Sequence, residues 1–83
     1  MFSNSYNWSY YPPYYQTMGH GRITVIEAIQ IALNKVPGQV VEVELEIENG
    51  FLVYEIEIIT PLGFKYEVEV DVYTGKILKV ELD

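Results

Sequence analysis

Cysteine is absent from these 83 residues, which excludes disulfides, thiol nucleophiles and thiolate metal sites together. Histidine is nearly absent as well. His20 alone represents it, set between Gly19 and Gly21, where a solvated side chain is expected rather than a ligand or base. Basic residues are few: five Lys and Arg stand against twelve Asp and Glu, a formal charge of −7. A phosphate backbone or an anionic membrane surface demands a basic face, so nucleic acid and such membranes are not expected partners. Long apolar runs are missing too, with no stretch of about 18 residues suited to spanning a bilayer. Met1 to Thr17 carries neither Lys nor Arg and no continuous apolar core, so no secretory signal is recognised there. These absences lead to the expectation of a cytoplasmic or spore-associated protein rather than a secreted one.

What is present divides the chain in two. Residues 1–21 are rich in Tyr, Ser, Asn and Pro and contain no Asp or Glu. Phe2, Tyr6, Trp8, Tyr10, Tyr11, Tyr14 and Tyr15 run through them, and the Tyr-Tyr-Pro-Pro-Tyr-Tyr centre favours polyproline II. Neither a 2.0 nor a 3.6 period shows, so this segment reads as a flexible leader. Its aromatic density also suits an arm that docks on its own domain, a second copy or a partner.

Residues 22–83 read as one small domain. Thr24-Val-Ile-Glu27 is a capping box, and Ile23 is placed to staple onto Ala28. Ile26, Ile29, Leu33 and Val36 recur at helical spacing, joined by Ala28 and Ala32, with Ile31 at the edge of the stripe. Pro37-Gly38 stops the helix, which is expected over residues 25–35.

From Gln39 to Asn49 the period changes to two. Val41, Val43, Leu45 and Ile47 point one way; Glu42, Glu44, Glu46 and Glu48 point the other. Asn49-Gly50 then signals a two-residue hairpin turn, since both residues tolerate positive φ. That turn sets Val41 against Ile58, Val43 against Ile56, Leu45 against Tyr54 and Ile47 against Leu52. On the other face it opposes Glu42 to Glu57 and Glu44 to Glu55, like-charged pairs that each cost a few tenths of a kcal/mol.

Thr60-Pro61-Leu62-Gly63 fits a three-residue hairpin, followed by a strand turning Phe64, Tyr66, Val68 and Val70 inward. Asp71 precedes Tyr73-Thr74-Gly75, where its carboxylate is suited to accept from backbone N–H groups of the turn. A last strand carries Leu78, Val80 and Leu82 inward and sets Lys79 against Glu69. The expected fold is α+β: one N-terminal helix packed on a four-stranded antiparallel meander, preceded by the aromatic leader.

This pattern resembles the PepSY family. The resemblance rests on Ile-Thr-Val-Ile-Glu-Ala-Ile-Gln-Ile-Ala-Leu at 23–33, Pro37-Gly38, Val43-Glu44-Leu45-Glu46, Val53-Tyr54-Glu55-Ile56-Glu57 and Val68-Glu69-Val70-Asp71-Val72-Tyr73-Thr74-Gly75-Lys76-Ile77. It covers about three quarters of the chain. It implies an accessory, non-catalytic module. Such domains occur in propeptides of thermolysin-like metallopeptidases, in spore-germination proteins of Bacillus-like bacteria and as small stand-alone proteins. Regulation or inhibition of a peptidase or cell-wall hydrolase is the function the resemblance implies. The alternative is a structural or assembly protein, spore-associated, that self-associates through the aromatic leader.

No catalytic residue, cofactor or metal is expected. A flat sheet face offers few backbone carbonyls and no enclosing loop to a hard cation, and no cleft to split the pKa values of a carboxylate pair. The candidate partner-binding residues are Glu42, Glu44, Glu55, Glu57, Glu67 and Glu69 on the acidic face, with Tyr10, Tyr11, Tyr14 and Tyr15 in the leader. A protein partner is expected, or a second copy of the chain joined by strand pairing or by exchange of the leader.

Overall fold

The computed structural model describes residues 21–83. The element order is α1 (Val25–Lys35), β1 (Gln39–Glu48), β2 (Phe51–Ile59), β3 (Lys65–Asp71) and β4 (Ile77–Leu82). The strands form one antiparallel sheet in the order β1-β2-β3-β4. The helix and the strand count agree with the expectation drawn from the sequence.

The capping box forms as expected. The Glu27 amide donates to Thr24 Oγ1 at 3.1 Å, and the Thr24 amide donates to Glu27 Oε1 at 2.7 Å. Just before it, the Ile23 amide donates to the Val72 carbonyl at 2.7 Å, while the Tyr54 hydroxyl donates to the Ile23 carbonyl at 3.3 Å. Both backbone groups of Ile23 are thus tied to the sheet, which fixes where the helix begins.

The helix packs chiefly on β2 and β3. Its contact stripe is centred on Ala28 and Ala32, both fully buried, with Ile29, Ile31 and Leu33 half-buried beside them. Two alanines at the centre let helix and sheet approach closely. Ile26 is not part of the stripe: it stands 64% exposed. At about 100° per residue it falls roughly 160° from Ala28, on the far side of the helix. The core beneath is Ile56 and Ile58 from β2, Val68 and Val70 from β3, and Val72, Tyr54, Ile23 and Val36 around them.

Two β-bulges move side chains that simple alternation misplaces. Val40 faces Ile58 and Glu42 faces Glu57, leaving Val41 as the extra residue on β1. Val41 turns outward and Val40 packs against the core in its stead. On β4, Lys79 faces Glu69 but Ile77 faces Val70, so Leu78 is extra and exposed while Ile77 packs inward. A bulge shifts the alternation by one residue, which exchanges the faces of everything beyond it.

Leu45, Ile47, Phe64 and Leu82 also remain exposed, contrary to the expectation that they are covered. Their register is as expected, with Leu45 opposite Tyr54 and Ile47 opposite Leu52. The cause is the helix, whose 11 residues span about 16 Å and overlie the two central strands, not the margins.

The turns follow their residues. Asn49 and Gly50 both have positive φ, at 52° and 85°. The Thr60 amide donates to the Phe64 carbonyl, closing a three-residue loop in which Gly63 takes φ 89°. Asp71 Oδ1 accepts from the Tyr73 amide at 2.8 Å and the Thr74 amide at 3.3 Å.

Candidate functional site

The sheet face opposite the helix collects the carboxylates. Alternation along β1, β2 and β3 projects Glu42, Glu44, Glu46, Glu48, Glu55, Glu57, Glu67 and Glu69 to this one side, and pairing brings them into rows. Glu42 opposes Glu57, which opposes Glu67; Glu44 opposes Glu55, which opposes Glu69. The rows end on β4, where Glu81 opposes Glu67 and Lys79 opposes Glu69.

The face is less solvated than its composition leads one to expect. Glu42 and Glu44 on the edge strand are exposed, Glu55, Glu57 and Glu67 are half-buried, and Glu69 is buried. Val53 lies on this same face, opposite Glu46 and Asp71, and is fully buried. Long glutamate and lysine stems over the inner strands therefore shield their neighbours from water.

Two lysines compensate part of the charge. Lys65 Nζ lies 3.4 Å from Glu57 Oε1 and 3.5 Å from Asp83 Oδ2. Lys79 Nζ lies 3.1 Å from Glu81 Oε1 and 3.7 Å from Glu69 Oε2. The hydrogen bond with Glu57 raises the Lys65 pKa, and that with Glu81 raises the Lys79 pKa. Glu55 has no such cation. A side-chain hydrogen bond with Glu67, then burial, then the charges of Glu67, Glu46 and Glu69 push its pKa up to about 8. Glu55 thus carries a proton at neutral pH and bridges to Glu67 through it.

Among the described residues, two groups of three carboxylates bring oxygens within 4.8 Å of one another: Glu44, Glu46 and Glu55, and Glu48, Glu55 and Glu69. Glu55 belongs to both. Of the residues singled out from sequence, Glu44, Glu55 and Glu69 are thus drawn together, with Glu67 hydrogen-bonded to Glu55, whereas Glu42 and Glu57 belong to neither group. Glu46 and Glu48 were not among those candidates, although the alternation of β1 already assigns them to this face. Tyr10, Tyr11, Tyr14 and Tyr15 lie outside the described residues.

This helix-and-meander carries a family signature. The family model of the "Peptidase propeptide and YPEB domain", PepSY, matches residues 22–81. The chain belongs to the PepSY family. The uncharacterized protein YkoJ of Bacillus subtilis is 41% identical over 61 residues, covering 74% of this chain and 36% of that protein. A solved structure of a Clostridium difficile protein described as a "putative lipoprotein" superimposes with a TM-score of 0.72 at 31% identity, covering 77% of this chain and 41% of that one. The chain therefore spans well under half the length of these two proteins.

The lipoprotein neighbour overturns the expected cytoplasmic or spore-associated location. That expectation rested on the lack of a signal or spanning segment, and a lipid-anchored protein carries its domain outside the membrane without any spanning helix. No helix among the described residues is long and apolar enough to cross a membrane. PepSY domains are generally non-catalytic.

Proposed function

We propose that this PepSY domain is a protein-binding module that regulates or inhibits a peptidase or cell-wall hydrolase. The single observation that carries this reading is the match of residues 22–81 to the peptidase-propeptide family model. The lipoprotein neighbour supports exercising that role at the outer side of a membrane.

The surface that suits a partner is the β1 margin of the acidic face. Glu42 and Glu44 are exposed there, and the half-buried Glu57 stands next to Glu42 across the strand pair. A basic patch on the partner would meet these charges, steering encounter and fixing orientation. Glu69 is too buried to serve in docking, so the contact surface is narrower than the full set of acidic candidates.

The test is titration of the full chain against a thermolysin-like metallopeptidase and a cell-wall hydrolase, reading binding and residual activity. Saturable binding that lowers activity, weakens with added salt and is lost in a Glu42→Lys/Glu44→Lys double variant is the expected result. Absence of binding to either enzyme overturns the proposal.

A further inference from the structure

Carboxylates on the outer face of the sheet come close together. Oxygens of Glu48, Glu55 and Glu69 lie within 4.8 Å of one another, although these residues come from three different strands. Two oxygens bound to one calcium ion at about 2.4 Å cannot be more than about 4.8 Å apart, a spacing that all three meet. Magnesium, which holds its ligands at about 2.0–2.1 Å in a strict octahedron, requires a tighter set.

A second observation is independent of that spacing. Glu69 Oε2 is buried and accepts no hydrogen bond. The side chain as a whole is only 6% exposed. Its nearest cation, Lys79 Nζ, is 3.7 Å away, beyond hydrogen-bonding distance, and lies closer to Glu81 at 3.1 Å. A buried carboxylate oxygen without a hydrogen bond carries a desolvation penalty that a directly coordinated cation would remove. Lys79 would retain Glu81 when displaced from Glu69.

We propose that Glu48, Glu55 and Glu69 form a divalent-cation site of the calcium class on the outer face of the sheet, with Glu44 and Glu46 adjoining it through Glu55. With the Glu55 proton released on binding, the donor set is all carboxylate, which selects a hard cation over zinc or copper. A flat sheet by itself lacks an enclosing loop for a cation. Here the long side chains themselves converge from β1, β2 and β3, and water completes the shell. Binding would tie the edge strand β1 to the two central strands, independently of any peptidase partner.

The experiment is calorimetric titration of the full chain with CaCl2 at neutral pH, repeated with MgCl2 and with NaCl at matched ionic strength. One saturable Ca2+ per chain is expected, with affinity at least about tenfold weaker in Glu48→Gln and in Glu69→Gln. Glu42→Gln, outside the cluster, is expected to bind as the parent does. Circular dichroism confirms that each variant is folded; should either ligand variant unfold, Glu55→Gln replaces it. The proposal is overturned by absence of saturable heat up to ~10 mM Ca2+, above the weakest natural calcium modules. It is equally overturned if Mg2+ or matched NaCl gives the same response, or if the ligand variants bind unchanged.

Discussion

Gly38 sits where the chain leaves the helix and passes against β2. A Cβ placed there would collide with the Ile59 carbonyl oxygen and lie 2.8 Å from Ile58 Cγ2. The backbone carbonyl cannot swing aside as a side chain can, so Gly38→Ala is expected to cost about 1–3 kcal/mol, measured as a lowered urea midpoint. Glu55 makes a different residue-scale prediction. Its folded-state pKa of about 8 lies above the ordinary 4.5. The protonated form is thus the one the fold favours. Its stabilising contribution is complete below pH 4.5 and is lost as pH rises through about 8. In the absence of divalent cations, the melting temperature is expected to fall across that window and to level off above it. Glu55→Gln, which keeps the hydrogen bond to Glu67 without an ionisable proton, is expected to remove this part of the slope. An unchanged slope in that variant would show that Glu55 does not hold the proton.

At the scale of elements, the short helix decides which apolar side chains contribute to stability. Ile56 on β2 lies directly beneath it and is fully buried, whereas Ile47 on β1 is 73% exposed. Both have the same hydrophobicity and both occupy the core face by register. Ile56→Ala is expected to destabilise by about 2–5 kcal/mol, and Ile47→Ala by no more than about 0.5 kcal/mol. Thermal unfolding of the two variants side by side checks this. Comparable losses would mean that something other than the helix covers β1. The bulges act at the same scale, since each exchanges one apolar residue for its neighbour: Val40 replaces Val41 and Ile77 replaces Leu78.

For the molecule as a whole, the balance of charge is the exceptional quantity. A body of about 60 residues buries only about 60% of its unfolded surface, so its margin of stability is modest. Against that margin stand Glu42–Glu57, Glu57–Glu67 and Glu67–Glu81, three like-charged cross-strand pairs that remain with Glu55 protonated. The ion pairs of Lys65 and Lys79 are too open to water at their lysine ends to offset them. Raising NaCl from ~0.01 M to ~1 M shortens the screening length from about 30 Å to about 3 Å. Stability is expected to rise over that range, read as a higher urea midpoint. A fall would mean that the lysine pairs outweigh the repulsion.

The sequence by itself determined whatever is local. The capping box at Thr24 and Glu27, the end of the helix at Pro37-Gly38, the Asn49-Gly50 turn and the cap of Asp71 on the following turn each depend on residues within a few positions of one another. Strand pairing followed from turn length, so most of the β1–β2 register and the PepSY character were legible too. Glu46 and Glu48 could have been found as site residues from the same alternation. Tertiary structure alone decided the rest. Which of two adjacent valines faces inward depends on a bulge that leaves Val41 unpaired on β1. Which core-face residues are covered depends on where an 11-residue helix lands on a sheet wider than itself. The burial of Glu69 and the proton held by Glu55 depend on neighbours from other strands. Burial and field are sums over contacts distant in sequence, and no local pattern encodes them.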